Sequence, residues 1–273
     1  FLPLGMFSSN PFMGNVVTGI LIAILVAGVI FGGIKRIGLV AGRIVPIMVL
    51  IYLLGGLGIL IKNYDKLGSI FNLIITDAFT GNAVVGGIVG EVIRQGIRRA
   101  VFSNEAGLGT EVMAHGAAKT KEPVREGLVA MLGPFIDTIL VCSITAFAIL
   151  VSGVWNDPTL NGVSMTAKAF SNELGLLGEF ILFFSVFTFS VTTMFGQSYY
   201  GAKCTGFLFG SRWKVNYNWF YVLSTIFGAT VSISIVINLI DGMYAIMAIP
   251  TMVSTILLAP KVMKETRRYF STI

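Results

Sequence analysis

Long unbroken apolar runs dominate the pattern along the chain. Val16–Ile34 and Ile44–Ile61 carry no charged residue, Gly127–Val154 carries only Asp137, and Phe180–Ala202, Val215–Ile240 and Gly242–Pro260 carry none. Each is close to or above the about 20 residues that cross a bilayer core as a helix. The runs are continuous rather than alternating, so they predict helices and not barrel strands. A less regular stretch, Ser69–Lys119, is expected to supply a seventh crossing. The longest polar connection, Trp155–Leu174, holds Asn156-Asp157-Pro158 and Asn161-Gly162 and reads as turns. No repeat of 20–50 residues is seen. The expected class is an all-α polytopic membrane protein, one transmembrane domain over residues 1–273.

Charge placement supports seven crossings. Lys35, Arg36, Arg43, Lys119, Lys121, Arg125, Lys203, Arg212, Lys214, Lys261, Lys264, Arg267 and Arg268 fall in one alternating set of connections, thirteen in all, against Lys62, Lys66 and Lys168 in the other. Basic residues collect on the cytoplasmic side. This predicts a chain that enters from outside and ends in the cytoplasm, provided Ser69–Lys119 crosses once.

Composition agrees. Of 273 residues 55% are apolar and 12% charged, half the usual charged share, and mean hydropathy is +0.85. Lipid is therefore a partner. The net charge of +6 lies in connections between spans and gives no sign of nucleic acid. Cys142 and Cys204 lack metal or disulfide spacing and read as packing residues. The chain begins Phe1-Leu2-Pro3-Leu4 with no signal-peptide pattern, and we expect further helices upstream of it.

The segment Gly81–Lys119 departs from the pattern. Ser103-Asn104-Glu105-Ala106-Gly107-Leu108-Gly109 is polar and glycine-rich between two helical stretches. Its glycines loosen a helix, and Ser103 and Asn104 compete for backbone hydrogen bonds. Freed backbone groups at membrane depth survive only against protein or a watery cavity, and transporters use such breaks to bind solute and cation. A cytoplasmic helix end capped by Ser103 or Asn104 explains the same residues. Arg94, Arg98 and Arg99 precede the segment and disfavour deep burial; Glu91 is spaced to pair with Arg94.

Other polar groups stand out within apolar surroundings. Asp137 is a candidate for a cation or proton site, or for a structural pair with an arginine such as Arg98. Adjacent Thr192 and Thr193 offer hydroxyl oxygens that suit a hard cation such as Na⁺, or each bonds its own i−4 carbonyl. Gln197 lies one turn after Thr193 on the same face and needs polar partners, either solute or a neighbouring helix. Glu105 suits a gate or a partner for freed N–H groups. His115, the sole histidine, reads as a packing or gating residue. No HExxH, nucleophile elbow or phosphate loop is present, so no enzyme and no cofactor is expected.

The chain resembles the alanine/glycine:cation symporter family (sodium:alanine symporters). The resemblance rests on Arg99-Ala-Val-Phe-Ser-Asn-Glu-Ala-Gly-Leu-Gly109, Ala114-His115, Ala117-Ala118-Lys119-Thr120, Pro123 through Thr138, Ser198 through Cys204, and Gly32 through Gly38. It implies a LeuT-like five-plus-five inverted-repeat fold in which the spans are core helices 4–10, the earlier helices, core helix 1 among them, being absent. It implies an interrupted core helix 6, with Ser103, Asn104, Gly107, Leu108 and Gly109 toward substrate. Thr192 and Thr193 then match that fold's sodium-site pair, and Asp137 lies near its other sodium site. The family pattern usually has Trp where Gln197 stands, which implies a larger or more polar amino acid than alanine, such as glutamine. The expected activity is sodium-coupled symport of a small neutral amino acid at the plasma membrane, with Na⁺ as coupling ion. A proton-coupled permease and a passive channel are the alternatives, although no filter motif is present.

Overall fold

The computed structural model describes residues 11–79 and 88–272. Among these there is no strand. The helices are α1 (Pro11–Ile30), α2 (Gly33–Lys62), α3 (Tyr64–Phe79), α4 (Ile88–Asn104), α5 (Glu111–His115), α6 (Pro123–Ser152), α7 (Val163–Leu174), α8 (Leu176–Phe209), α9 (Trp213–Gly228) and α10 (Ile233–Thr272). Five of them, α1, α2, α6, α8 and α10, are long and apolar enough to cross a membrane, as a multi-pass membrane protein requires.

The turn between the first two spans falls at Phe31–Gly32, so Lys35, Arg36 and Arg43, expected in a connection, lie within α2, and the elements differ from the sequence expectation at three further places. First, the expected runs Val215–Ile240 and Gly242–Pro260 are not separated at Asp241. The helix breaks at residues 229–232 instead, and α10 continues unbroken for 40 residues. Ala229, Thr230, Val231 and Ser232 carry no Gly or Pro signal, while Asp241-Gly242 looked like one. At about 1.5 Å per residue α10 reaches about 60 Å, twice a bilayer core, so its basic end Lys261–Arg268 extends past the apolar part. Second, Trp155–Leu174 is not wholly a connection: after a short 3₁₀ turn, Val154–Asn156, it folds into α7. Thr166, Ala169 and Phe170 are buried there at helical spacing. Third, among the described residues of Ser69–Lys119, where one interrupted crossing is expected, lie parts of three helices, α3, α4 and α5, the longest of 17 residues. The side chain of Glu91, and with it the expected pair to Arg94, lies outside the described residues.

The chain divides into two compact units. One comprises the described parts of Phe1–Val45, Val112–Ala117 and Thr188–Ser254. Its core holds Ala23, Val26, Ile30, Ile37, Val191, Phe195 and Val222. Here α1 packs on α9, and Gly19 sits so close to Ala229 and the Ile226 backbone that only a small residue fits, the usual device of membrane helix contacts. Tyr221 donates to the Met194 carbonyl at 3.0 Å.

The other unit comprises the described parts of Pro46–Glu111, Ala118–Phe187 and Thr255–Ile273. Its core gathers Tyr52, Ile59, Ala148, Phe170, Ile181 and Leu182. Tyr52 stacks on Phe170 with ring centroids 5.4 Å apart and shares a 2.6 Å hydrogen bond with Thr145. Gly55 and Gly56 let Ile181 and Ile144 approach the α2 backbone. The Glu173 carboxylate accepts from Asn63 at 2.8 Å and pairs with Lys62 at 3.4 Å.

Candidate functional site

The interrupted segment begins where α4 ends. The Glu105 N–H closes the last turn on the Val101 carbonyl at 2.9 Å. Glu105 then adopts φ +53°, and Gly107 and Gly109 follow at +83° and +82°. A non-glycine residue in that region is uncommon, and here two side-chain bonds fix it. The Asn104 side-chain oxygen accepts the Ala106 N–H at 3.0 Å, an Asx turn that replaces the next helical bond. The Glu105 carboxylate accepts the Thr110 hydroxyl at 2.5 Å, and Thr110 is buried. Leu108 is buried too and anchors the turn by donating its N–H to the Glu105 carbonyl at 3.1 Å. The N–H groups of Gly107 and Gly109 make no hydrogen bond among the described residues. After Thr110 the chain re-enters helix for only five residues, Glu111–His115.

Two bonds from α6 brace the end of α4. The Ser103 hydroxyl donates to the Asp137 carboxylate at 2.6 Å, and the Asn104 amide donates to the Thr138 hydroxyl at 3.1 Å. Asp137 and Thr138 are consecutive, and an α-helix would turn them well apart. They meet the consecutive Ser103 and Asn104 from a π-helical stretch, Phe135–Cys142, a wider turn of the kind that recurs at functional sites. Pro134, just before it, has no N–H to give the regular ladder. The Cys142 sulfur lies 3.8 Å from the Ser103 hydroxyl.

Asp137 is thus paired with Ser103, and no ion pair joins it to Arg98 among the described residues. Arg98 itself is half-buried near the C-terminal end of α4. His115 closes α5, half-buried; in the same unit as His115, Met113 meets Cys204 sulfur to sulfur at 3.9 Å. The structure therefore gathers Ser103, Asn104, Glu105 and Asp137 with three residues that sequence reading did not select, Thr110, Thr138 and Cys142. The only sequence signal for Thr138 is its place beside Asp137, and none marks the π-helical turn beyond Pro134.

The remaining candidates lie on α8. Thr192 donates to the Thr188 carbonyl at 2.8 Å and reaches the Phe189 carbonyl at 3.1 Å, the back-bonded arrangement expected of an isolated membrane threonine. Thr193 is exposed on its unit, and its hydroxyl makes no hydrogen bond among the described residues. Gln197, one turn on, is half-buried. Hydroxyl, amide and carboxylate oxygens of these kinds suit hard cations and the ammonium of a small zwitterion, and the hydroxyl and amide hydrogens suit its carboxylate.

The profile of the sodium:alanine symporter family matches residues 5–273. The sodium/alanine symporter AgcS of Methanococcus maripaludis is 40% identical over 265 residues, covering 96% of this chain and 58% of that protein. A protein of Haemophilus influenzae named "Uncharacterized transporter" is 37% identical over 262 residues, covering 94% and 58%. The Bacillus subtilis protein named "Probable sodium/glutamine symporter GlnT" is 33% identical over 262 residues, covering 95% and 55%. The chain spans somewhat more than half the length of the curated relatives it matches.

Proposed function

The chain belongs to the sodium:alanine symporter family, a family of transporters and not of enzymes, and from that premise we propose that it forms part of a secondary active transporter. That transporter carries a small neutral amino acid across the plasma membrane with Na⁺, by alternating access. The observation that carries the reading is the interruption at residues 105–110, where the Gly107 and Gly109 amides make no hydrogen bond among the described residues and lie beside braced polar groups. Bare N–H groups at a helix break suit a substrate carboxylate. The helix after the break has only five residues, so its dipole adds little and the amides of the turn supply most of the attraction.

In this proposal Ser103, Asn104, Gly107, Leu108 and Gly109 contribute to substrate binding. Thr192, Thr193 and Asp137 are assigned to sodium, and Glu105, Arg98 and His115 to gating or support. Gln197 is assigned to substrate choice, and the glutamine in the name of the Bacillus subtilis relative supports a larger or more polar substrate alongside alanine and glycine. We further propose seven crossings, as core helices 4–10 of a LeuT-like inverted repeat in a single transmembrane domain. In that scheme α9, about 24 Å long, crosses with help from the turn at 229–232, one crossing comes from Tyr64–His115, and the C-terminus is cytoplasmic.

The test is uptake of labelled alanine, glycine and glutamine by the full-length protein in vesicles under imposed Na⁺, K⁺ or H⁺ gradients. Accumulation driven by Na⁺ alone supports the reading. Downhill flux without accumulation would make the protein a channel, and accumulation driven by H⁺ alone a proton-coupled permease.

A further inference from the structure

The unit containing α1 and α9 holds a cavity lined by none of the residues assigned above. Its volume is about 180 Å³. One wall is apolar and comes from the end of α1 and the start of α2: Ile30, Ile34 and Ile37. Lys203 on α8, Lys214 on α9 and Asn218 also line the cavity.

Neither lysine has an ion pair among the described residues. The unit holds one acid, Asp241, against six Lys and Arg: Lys35, Arg36, Arg43, Lys203, Arg212 and Lys214. Both side chains are held in place. The Lys203 ammonium sits 5.5 Å from the centre of the Tyr199 ring, a cation–π distance. The stem of Lys214 passes over Gly206 so closely that a Cβ there would overlap it. Aromatic residues typical of the lipid headgroup level surround the same end of the unit: Trp219 meets Phe31 with centroids 4.9 Å apart, and Trp213 and Trp219 are both exposed.

We propose that this cavity binds the phosphate of an anionic glycerophospholipid, of the phosphatidylglycerol kind, with one acyl chain running along Ile34 and Ile37. Two unpaired ammonium groups match a net negative headgroup better than a zwitterionic one, and basic pockets between membrane helices recognise acidic lipids. The site rests on the membrane reading of the chain and is independent of which solute is carried.

Native mass spectrometry of the full-length protein in detergent, titrated with phosphatidylglycerol, phosphatidylethanolamine or inorganic phosphate, tests this. Wild-type protein is expected to retain phosphatidylglycerol selectively. The Lys203→Gln/Lys214→Gln variant should bind it roughly 30-fold more weakly, with phosphatidylethanolamine unchanged. Ile34→Trp, which fills the chain groove and leaves both charges, should weaken it as well, and millimolar phosphate should not displace it. Unchanged retention by the double variant, no selective retention by the wild type, or displacement by free phosphate would each overturn the proposal. If gel filtration shows the double variant unfolded, the single variants Lys203→Gln and Lys214→Gln give the same reading. Failure here with intact sodium-driven uptake removes the lipid site alone.

Discussion

Thr192 and Thr193 are consecutive hydroxyls in different situations. The Thr192 hydroxyl is already committed to the Thr188 carbonyl, whereas that of Thr193 makes no hydrogen bond among the described residues. A ligand oxygen is more available from the second. Thr193→Ala is therefore expected to raise the Na⁺ concentration for half-maximal uptake more than Thr192→Ala, measured as sodium titrations of transport; equal sodium dependence in wild type and Thr193→Ala removes that role. Asp137 has two duties to separate, its bond to Ser103 and a charge available to a cation. Asp137→Asn keeps an acceptor for Ser103 and loses the charge, while Ser103→Ala does the reverse. If Asp137 serves sodium, the first variant should fold normally and need more Na⁺, and the second should lose about 1.5–3 kcal/mol of stability, read by thermal unfolding in detergent. Normal sodium coupling in Asp137→Asn would leave Asp137 a structural residue. Asp137 was legible because a lone acid in an apolar run stands out. Thr138 and Cys142 were not, because their value comes from a π-helical turn that no residue pattern announces.

At the level of elements, the apolar runs located α1, α2, α6 and α8 to within several residues at most ends, because long charge-free stretches leave little choice in lipid. Boundaries shifted where turn signals sit inside long apolar runs. Gly228 ends α9 and Ser232 precedes α10 within one such run, and Asp241-Gly242 sits inside a helix without breaking it. The helix α7 was missed because the Asn156-Asp157-Pro158 and Asn161-Gly162 turns drew attention from the Thr166, Ala169 and Phe170 face behind them. That face is pinned at the α7–α8 junction, where Gly175 takes φ +61° and Gly178 lies against the Phe170 carbonyl so tightly that a Cβ would overlap backbone. Gly178→Ala is expected to cost about 1–3 kcal/mol and to lower the unfolding temperature in detergent, whereas Gly58→Ala, with open space around it on α2, should not. The interruption after α4 was legible in its glycines and asparagine, but its bracing by α6 was not, since residues 34 positions apart leave no mark in one sequence.

For the molecule as a whole, the proposed seven crossings need the 16-residue α9 to cross although it is not among the five helices long and apolar enough to do so, and they place residues 161 and 264 on opposite sides. Cysteines introduced at Asn161 and at Lys264 of the full-length protein should therefore label from opposite sides of intact cells, with Asn161→Cys reached by a membrane-impermeant maleimide and Lys264→Cys protected until the membrane is opened. Labelling of both from outside would contradict seven crossings. The central claim concerns the amides between α4 and α5. Hydrogen–deuterium exchange of the full-length protein, followed over the peptide covering residues 103–110, tests it most directly. Alanine with Na⁺ should slow exchange there, and neither Na⁺ alone nor ethylamine with Na⁺, which lacks the carboxylate, should do so. Exchange at 103–110 that is the same with and without the amino acid, in protein that accumulates it, would contradict the account.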